Sequence, residues 1–475
     1  MSVFSLEPLQ PSASLTVVLN RFSLACWVAL VCSSSISAQE VDKTLRAHHV
    51  GEQLIQYLER TTSPVNLGES QQAQEVLKSL IREAVVAHPE FRSAQAAREG
   101  GEAGVREARA GWLPQLSGST GAGERTVAGV PTRVPATTFT LSQLLYDFGH
   151  TPSKTEAAEL RFQGTRAAEL KRQDAVILRG VTAWHELYRT RQLMTLHQLN
   201  VAARRDIVDF IKERAELGGS SQSDVLRARA RLTESEASLR AVEIRQEGVL
   251  AAWREVFQAS PPSQLQAIYP DGFDVVQMAS QIDFLAKQFP PVAESLANSL
   301  ASQKEAEAAK ANLFPRIALE LSNSKNIIPS TGFEYTDRSA QITFRYNFLS
   351  GGAELSRSQQ AAARALQFSL DADNDQRQAA KNLRQALGEV QMGASLLASR
   401  QLAVSVANDT LIAVREQFAF RRGTLLDLLR AQEDVYVSGR DLIDAVTDHA
   451  LSRYRLLYMA SQLGGHFQLN SPTAP

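Results

Sequence analysis

Cysteine is almost missing from this 475-residue chain. There are two, Cys26 and Cys32, both near the N-terminus. That excludes a disulfide framework and a cysteine-based zinc site. Charge of one sign is also missing: 50 Lys and Arg meet 51 Asp and Glu, a net charge of −1. No basic excess suggests a phosphate-binding surface, so no nucleic-acid partner is expected. No acidic excess suggests a disordered tail. Beyond the first forty residues no apolar run reaches 18 residues, so no transmembrane helix is expected. Catalytic signatures are missing too. There is no Gly-x-x-x-x-Gly-Lys phosphate loop and no Gly-x-Ser-x-Gly elbow, and His185-Glu186 lacks the second histidine of a zinc-protease helix. The eight histidines are scattered, with His48-His49 read as an exposed pair. The expectation is no enzyme, no cofactor and no metal.

The chain is instead rich in Ala, Arg, Gln, Glu and Leu, the composition of long helices and coiled coils. Its N-terminus reads as an export signal over residues 1–38. Arg21 precedes nine apolar residues, Leu24 to Cys32, and a small-residue exit ending at Ala38. Nine residues are too few to cross a bilayer. A start nearer Arg21, a buried helix, or a lipidated Cys26 or Cys32 are the alternatives. An exported chain without a helical span is periplasmic, secreted or an outer-membrane β-barrel.

The chain then repeats itself. His88-Pro89-Glu90-Phe91 and Trp112-Leu113-Pro114 answer Phe289-Pro290-Pro291-Val292 and Leu313-Phe314-Pro315, at offset 201. Asp224-Val225-Leu226-Arg227-Ala228 answers Asp427-Leu428-Leu429-Arg430-Ala431, at offset 203. Matched landmarks in order mark a duplicated unit. The organisation predicted is a signal at 1–38, an N-terminal segment at 39–70, a first repeat at 71–260, a linker at 261–288, a second repeat at 289–465 and a tail at 466–475.

Each repeat reads as a helix, a strand pair and two long helices. Pro114 and Pro315 stop a helical pattern, and the period then changes to two. Ile317, Leu319 and Leu321 alternate with polar or small residues, as do Ala340, Ile342, Phe344, Tyr346 and Phe348, and Phe139 and Leu141. The hairpins are expected at about 114–148 and 315–350, joined by loops at about 124–136 and 324–338. Such strands are barrel staves, or a hairpin packed on a soluble core. Long helical hairpins follow, at about 153–258 and 354–462. Residues 153–216 alone would reach roughly 95 Å as a helix. Helices of that length must pair as coiled coils, and two apolar stripes offer the seam. One is Leu193, Leu196, Leu199 and Val201; the other is Leu396, Leu397, Leu402, Val404, Val406 and Leu411. Four strands cannot close a barrel, so several chains must each donate strands.

With these features the chain resembles the TolC-like outer-membrane efflux proteins. The likeness rests on the duplicated unit, on Ala108 to Pro114, on Gln143-Leu144-Leu145-Tyr146-Asp147-Phe148-Gly149, on the turn from Gly218 to Leu226 and on Gln462-Leu463-Gly464-Gly465. The resemblance implies an α+β membrane protein. It would be a homotrimer with a twelve-stranded outer-membrane β-barrel, four strands per chain, continued by an α-helical coiled-coil tunnel across the periplasm. It also implies a periplasmic adaptor protein as partner and an inner-membrane transporter, either an ABC transporter or a proton-driven pump. The fold would meet outer-membrane lipid directly.

The resemblance further implies a constriction at the periplasmic tip, where an acidic ring is common. The matching residue is Asp427, with Asp224 its repeat mate. A solvated Asp near a helix start is the structural alternative. Some relatives carry a second acid where this chain has Arg430. The turn glycine expected six residues before Asp427 is Arg421, with Gly423 displaced. Phe418 replaces a frequent tyrosine, which removes a hydroxyl latch. Arg421 and Arg422 are candidates to pair with Asp224 or Asp427 across neighbouring hairpins. The turns carrying Gly218, Gly219, Ser220, Gly423 and Thr424 are candidate adaptor contacts. Type I protein secretion is favoured over small-molecule efflux, on the reading in which neither cysteine is lipidated and on the family likeness of Leu145 to Gly149. A coiled-coil scaffold and an exported enzyme are the other readings.

Overall fold

The computed structural model describes residues 51–469, except 63–66, 122, 128–129, 134–136, 271, 273, 329–332, 348–350 and 421. The signal segment and the last six residues therefore lie outside it.

The duplication is visible in element lengths. Helix α1 (Glu52–Thr62) and helix α2 (Leu67–Ala87) lead into the first repeat. That repeat is α3 (Pro89–Ala110), strands β1 (Gln115–Ser119), β2 (Glu124–Val127), β3 (Val130–Arg133) and β4 (Thr137–Tyr146), then α4 (His150–Glu216) and α5 (Gln222–Phe257). Two short helices, α6 (Val275–Ser280) and α7 (Ile282–Gln288), open the second half. It continues with α8 (Pro290–Ala311), β5 (Arg316–Ile328), β6 (Phe333–Arg345), α9 (Ala353–Ala419), α10 (Leu425–Met459) and α11 (Leu463–His466). Helices α4 and α9 are both 67 residues long, and α3 and α8 are both 22.

Local chemistry sets these boundaries. Pro89 does not sit inside one continuous helix. It starts α3 at the first helical position, where its missing N–H costs nothing, and His88 caps it by accepting from Glu90 N at 3.3 Å. The turn from β4 into α4 is tight: Phe148 (φ 56°) and Gly149 (φ 96°) both take the left-handed conformation. Buried Asp147 then accepts from the backbone N–H of Thr151 at 2.8 Å and from its hydroxyl. The Asp147-Phe148-Gly149 motif is thus a strand-to-helix corner with a carboxylate at the helix N-terminus.

The loop expected at 124–136 contains a second ladder, β2 with β3, and β5 and β6 run on through most of the loop expected at 324–338. Main-chain pairing, which carries no sequence period of its own, extends the hairpins beyond their apolar alternation.

The core lies around the molecule's middle. Trp184, Trp253, Phe257, Ile268, Tyr454 and Phe467 pack in one cluster. The inter-repeat linker is stitched into both halves. Trp184 donates to Gln266 O at 2.9 Å, while Arg453 donates to Pro270 O at 3.0 Å and Tyr269 to Val446 O at 3.4 Å. A second cluster runs toward the hairpin tips along α4, α9 and α10. Among the described residues no helix is long and apolar enough to cross a membrane.

Candidate functional site: the four-stranded sheet and the hairpin tips

The sheet order is β1-β4-β5-β6, all antiparallel, so strands from both repeats form one sheet. Register sorts the side chains by face, because successive residues of a strand alternate. One row crosses all four strands as Leu116, Leu141, Leu321 and Ala340. On the same face Ile317 pairs with Phe344, and Leu319 with Ile342. The opposite face carries Ser117, Thr140, Ser322 and Ser339 in one row and Gln115, Ser142, Glu320 and Gln341 in the next. Hydroxyl pairs lie on that polar face, Thr138 with Ser324 at 3.0 Å and Ser322 with Ser339 at 2.8 Å.

The apolar face is open. Leu116 is 72% exposed and Ile342 70%. An uncovered apolar face with a hydroxyl-rich reverse suits lipid on one side and water on the other. An aromatic cluster sits where strands meet helices: Phe148 stacks on Phe314 at 5.3 Å and meets Tyr146 edge-on at 4.7 Å. All three are at least two-fifths exposed, the placement expected of an interfacial girdle. Pro114 and Pro315 fall at this same junction.

At the far end, each long hairpin turns tightly. Gly218 has φ +76°, which favours glycine, and Gly219 N donates to Arg214 O at 2.8 Å. Ser221 then caps α5 and Thr424 caps α10, each in a reciprocal capping box with the aspartate three residues on. Asp224 accepts from the Ser221 hydroxyl at 2.8 Å, and Asp427 from the Thr424 hydroxyl at 2.6 Å. These hydroxyls, first among the causes, hold both carboxyls below the usual range, aided by Arg227 beside Asp224 and Arg430 beside Asp427. Both stay ionised at neutral pH.

The predicted tip residues are thus brought together as two equivalent caps. Asp427, Arg430, Arg422 and Thr424 are exposed, as are Gly218 and Gly219, while Ser220, Asp224 and Gly423 are half-buried. Arg421 lies outside the described residues. Phe418 faces inward: it is 3% exposed and meets the ring of Phe210 on α4 at 5.8 Å.

Several tip-side residues had no sequence signal. Arg214 reaches from the first hairpin over Phe418 of the second. Further up, fully buried Arg204 on α4 donates to Glu433 at 2.6 Å and to Leu429 O at 3.2 Å, both on α10. Each is one arginine among many on a polar helix, and only the fold singles it out.

The expected stripe on α9 divides. Val404 and Leu411 are buried against α10, but Leu396, Leu402 and Val406 are exposed. Leu355, Leu366 and Leu370 form one open apolar patch and Met392 and Leu396 a second, on the same side at 3.67 residues per turn, with exposed Arg377 and Lys381 between them. Helix α9 therefore buries one apolar face within its own chain and leaves two shorter apolar patches open. Among the described residues no group of three or more His, Cys, Asp or Glu could hold a metal.

Known proteins share this arrangement. The family model described as outer membrane efflux protein matches residues 80–251 and 284–460, more than half of the chain. The proteases secretion protein PrtF of Dickeya chrysanthemi is 23% identical over 400 residues, 79% of this chain and 85% of its own. The outer membrane efflux protein BepC of Brucella suis biovar 1 (strain 1330) is 23% identical over 368 residues, 76% of this chain and 80% of its own. Among solved structures, the Vibrio cholerae outer membrane protein VceC superposes with a TM-score of 0.73 at 17% identity, covering 82% of this chain and 97% of its own. The Campylobacter jejuni outer membrane channel CmeC does so with a TM-score of 0.71 at 14% identity, covering 82% and 86%. Both relatives span most of their length on this chain, and both structures carry the same fold. The chain belongs to the outer membrane efflux protein family.

Proposed function

We propose that the chain is one third of a homotrimeric exit duct that carries proteins out of the cell by type I secretion. The family consists of outer-membrane channel proteins and not enzymes, so the chemistry needed is passage alone. The observation that carries the proposal is the two-faced sheet in which, among the described residues, β1 and β6 are the edge strands. Unpaired main chain is not viable in hydrocarbon. Pairing β1 of one copy with β6 of the next closes twelve strands from three chains. The open apolar patches of α9, at Leu355 to Leu370 and at Met392 to Leu396, give the same copies further contact along the helices.

In this reading the polar face of the sheet lines water, and the long helices continue the wall across the periplasm. A periplasmic adaptor meets the turns at Gly218, Gly219, Ser220, Gly423 and Thr424 and couples the duct to an inner-membrane ABC transporter. Three copies of Asp427 around the axis form an ionised ring that favours cations. Arg421 and Arg422 pair with Asp224 or Asp427 of a neighbouring hairpin. The name of PrtF, a protease secretion protein, supports the secretion branch. The name of BepC supports a second reading, the outer-membrane part of a small-molecule efflux pump driven by protons.

Comparing the secreted and surface proteomes of cells with and without the gene tests the choice. Loss of one or two large proteins from outside, with retention inside, is the expected result. An unchanged exoproteome together with new sensitivity to small toxic compounds would replace it with the efflux reading.

A further inference from the structure

Helix α1 precedes both segments matched by the family model. Its Leu54, Ile55 and Leu58 are buried to 5% exposure or less, while Gln53, Gln56, Glu59 and Arg60 face solvent. The buried side packs with Leu193 and Leu196 of α4, Val404 and Leu411 of α9, and Val435 and Leu442 of α10. Polar contacts fix it further. The Tyr57 hydroxyl donates to the Gln192 side chain on α4 at 2.6 Å, and Glu52 acts electrostatically on buried Arg415 of α9. One fit is close: a Cβ at Gly439 on α10 would lie 2.7 Å from Leu58 Cδ2. A side chain at 439 would require Leu58 to shift from the place it holds here.

We propose that α1 is a built-in clip that holds the two helical hairpins of one chain together and opposes widening of the periplasmic end. This rests on the duct reading above. Widening at the tips requires α9 and α10 to shift against α4. Helix α1 is wedged against all three, about 20 residues or roughly 30 Å from the tip of α4. A one-residue slip of α10 would set Ser438 or Arg440 beneath Leu58 in place of Gly439. The clip therefore favours one arrangement of the hairpins, and opening must dislodge it.

The test is single-channel recording of the full-length protein in planar lipid bilayers, with native electrophoresis to verify the oligomer. The variant Leu54→Ala/Leu58→Ala is expected to raise mean conductance roughly tenfold over wild type. The variant Leu58→Cys/Gly439→Cys removes the leucine and places two facing thiols. The other cysteines, Cys26 and Cys32, fall in the segment read as leader. Oxidation is expected to bring conductance below wild type, and reductant to restore it. Equal conductance in wild type, alanine variant and both redox states of a verified cysteine pair would overturn the clip while leaving the duct intact. If the alanine variant fails to assemble, the cysteine pair decides alone. No current through any assembled form would overturn the duct reading and the clip with it.

Discussion

The guanidinium of Arg214 lies over the ring of Phe418, 5.2 Å from its centroid, while its Nε donates to Gly219 O at 3.0 Å. One side chain thus supports the turn of the first hairpin and grips the end of the second. A double-mutant cycle with Arg214→Ala and Phe418→Ala should return a coupling of about 0.5–1 kcal/mol. Phe418→Ala alone should cost about 3 kcal/mol or more, because it empties a packed site against Phe210. Urea titration checks both values. Strict additivity would mean that the two hairpin ends are independent.

The two capping aspartates should separate in function. Asp224→Asn and Asp427→Asn should each lower stability only slightly, since both weaken a capping box but keep a side-chain acceptor. Only Asp427→Asn should reduce cation preference, measured as reversal potential under a salt gradient. Equal selectivity changes in both variants would remove Asp427 from the axis.

Arg204 and Glu433 should respond unequally. Arg204 is 1% exposed and Glu433 is about half exposed on its side chain. Glu433→Ala leaves the buried guanidinium with Leu429 O as its remaining partner on α10, at a cost of about 1.5–3 kcal/mol. Arg204→Met leaves a carboxylate that water can solvate, and should cost less. Thermal unfolding of both variants tests the order, and a reversed order would sink the argument.

Stability should depend on pH through Asp174. Burial against the C-terminal segment raises its pKa to about 7, opposed by a backbone hydrogen bond from Gly464. A raised folded pKa means that the stability tied to the protonated form is present below about pH 4 and is lost as pH rises through 7. Asp174→Asn should match wild type near about pH 4 and exceed it by up to roughly 4 kcal/mol at about pH 8. His185, His197 and His449 act with the opposite sign. Burial lowers all three, so their contribution is present above about pH 6.5 and is lost as pH falls. Melting curves across pH check both arms.

The two faces of the sheet should differ sharply toward charge. Leu321→Arg places a cation on the apolar face and should cost about 2–4 kcal/mol in a bilayer. Ser322→Arg, one residue on, points to the hydroxyl face and should be far milder. Heat-modifiability on electrophoresis and the yield of assembled protein report the difference. Equal tolerance would refute the assignment of faces.

Much of this was legible in the sequence. Pro114 and Pro315 and the aspartates at 224 and 427 mark the ends of elements, because proline and capping residues act through local backbone chemistry. The alternation of Ile317 to Leu321 and of Ala340 to Phe344 fixed the strands, because period two is a property of one chain segment. The same local signals gave the duplication and the lengths of the long helices. Register across four strands was not legible. The partner of Leu141 is Leu321, 180 residues away, and only the folded sheet shows that both share a face with Leu116. The inward turn of Phe418, the reach of Arg214 and Arg204 between hairpins, and the seat of Leu58 against Gly439 were likewise decided by tertiary packing. Each depends on which helix lies beside which, and a helix that carries many arginines does not encode that locally. The sequence determined most of the parts and those of their ends that proline and capping residues set. The tertiary structure decided which faces meet, because burial is a property of neighbours brought together from distant parts of the chain.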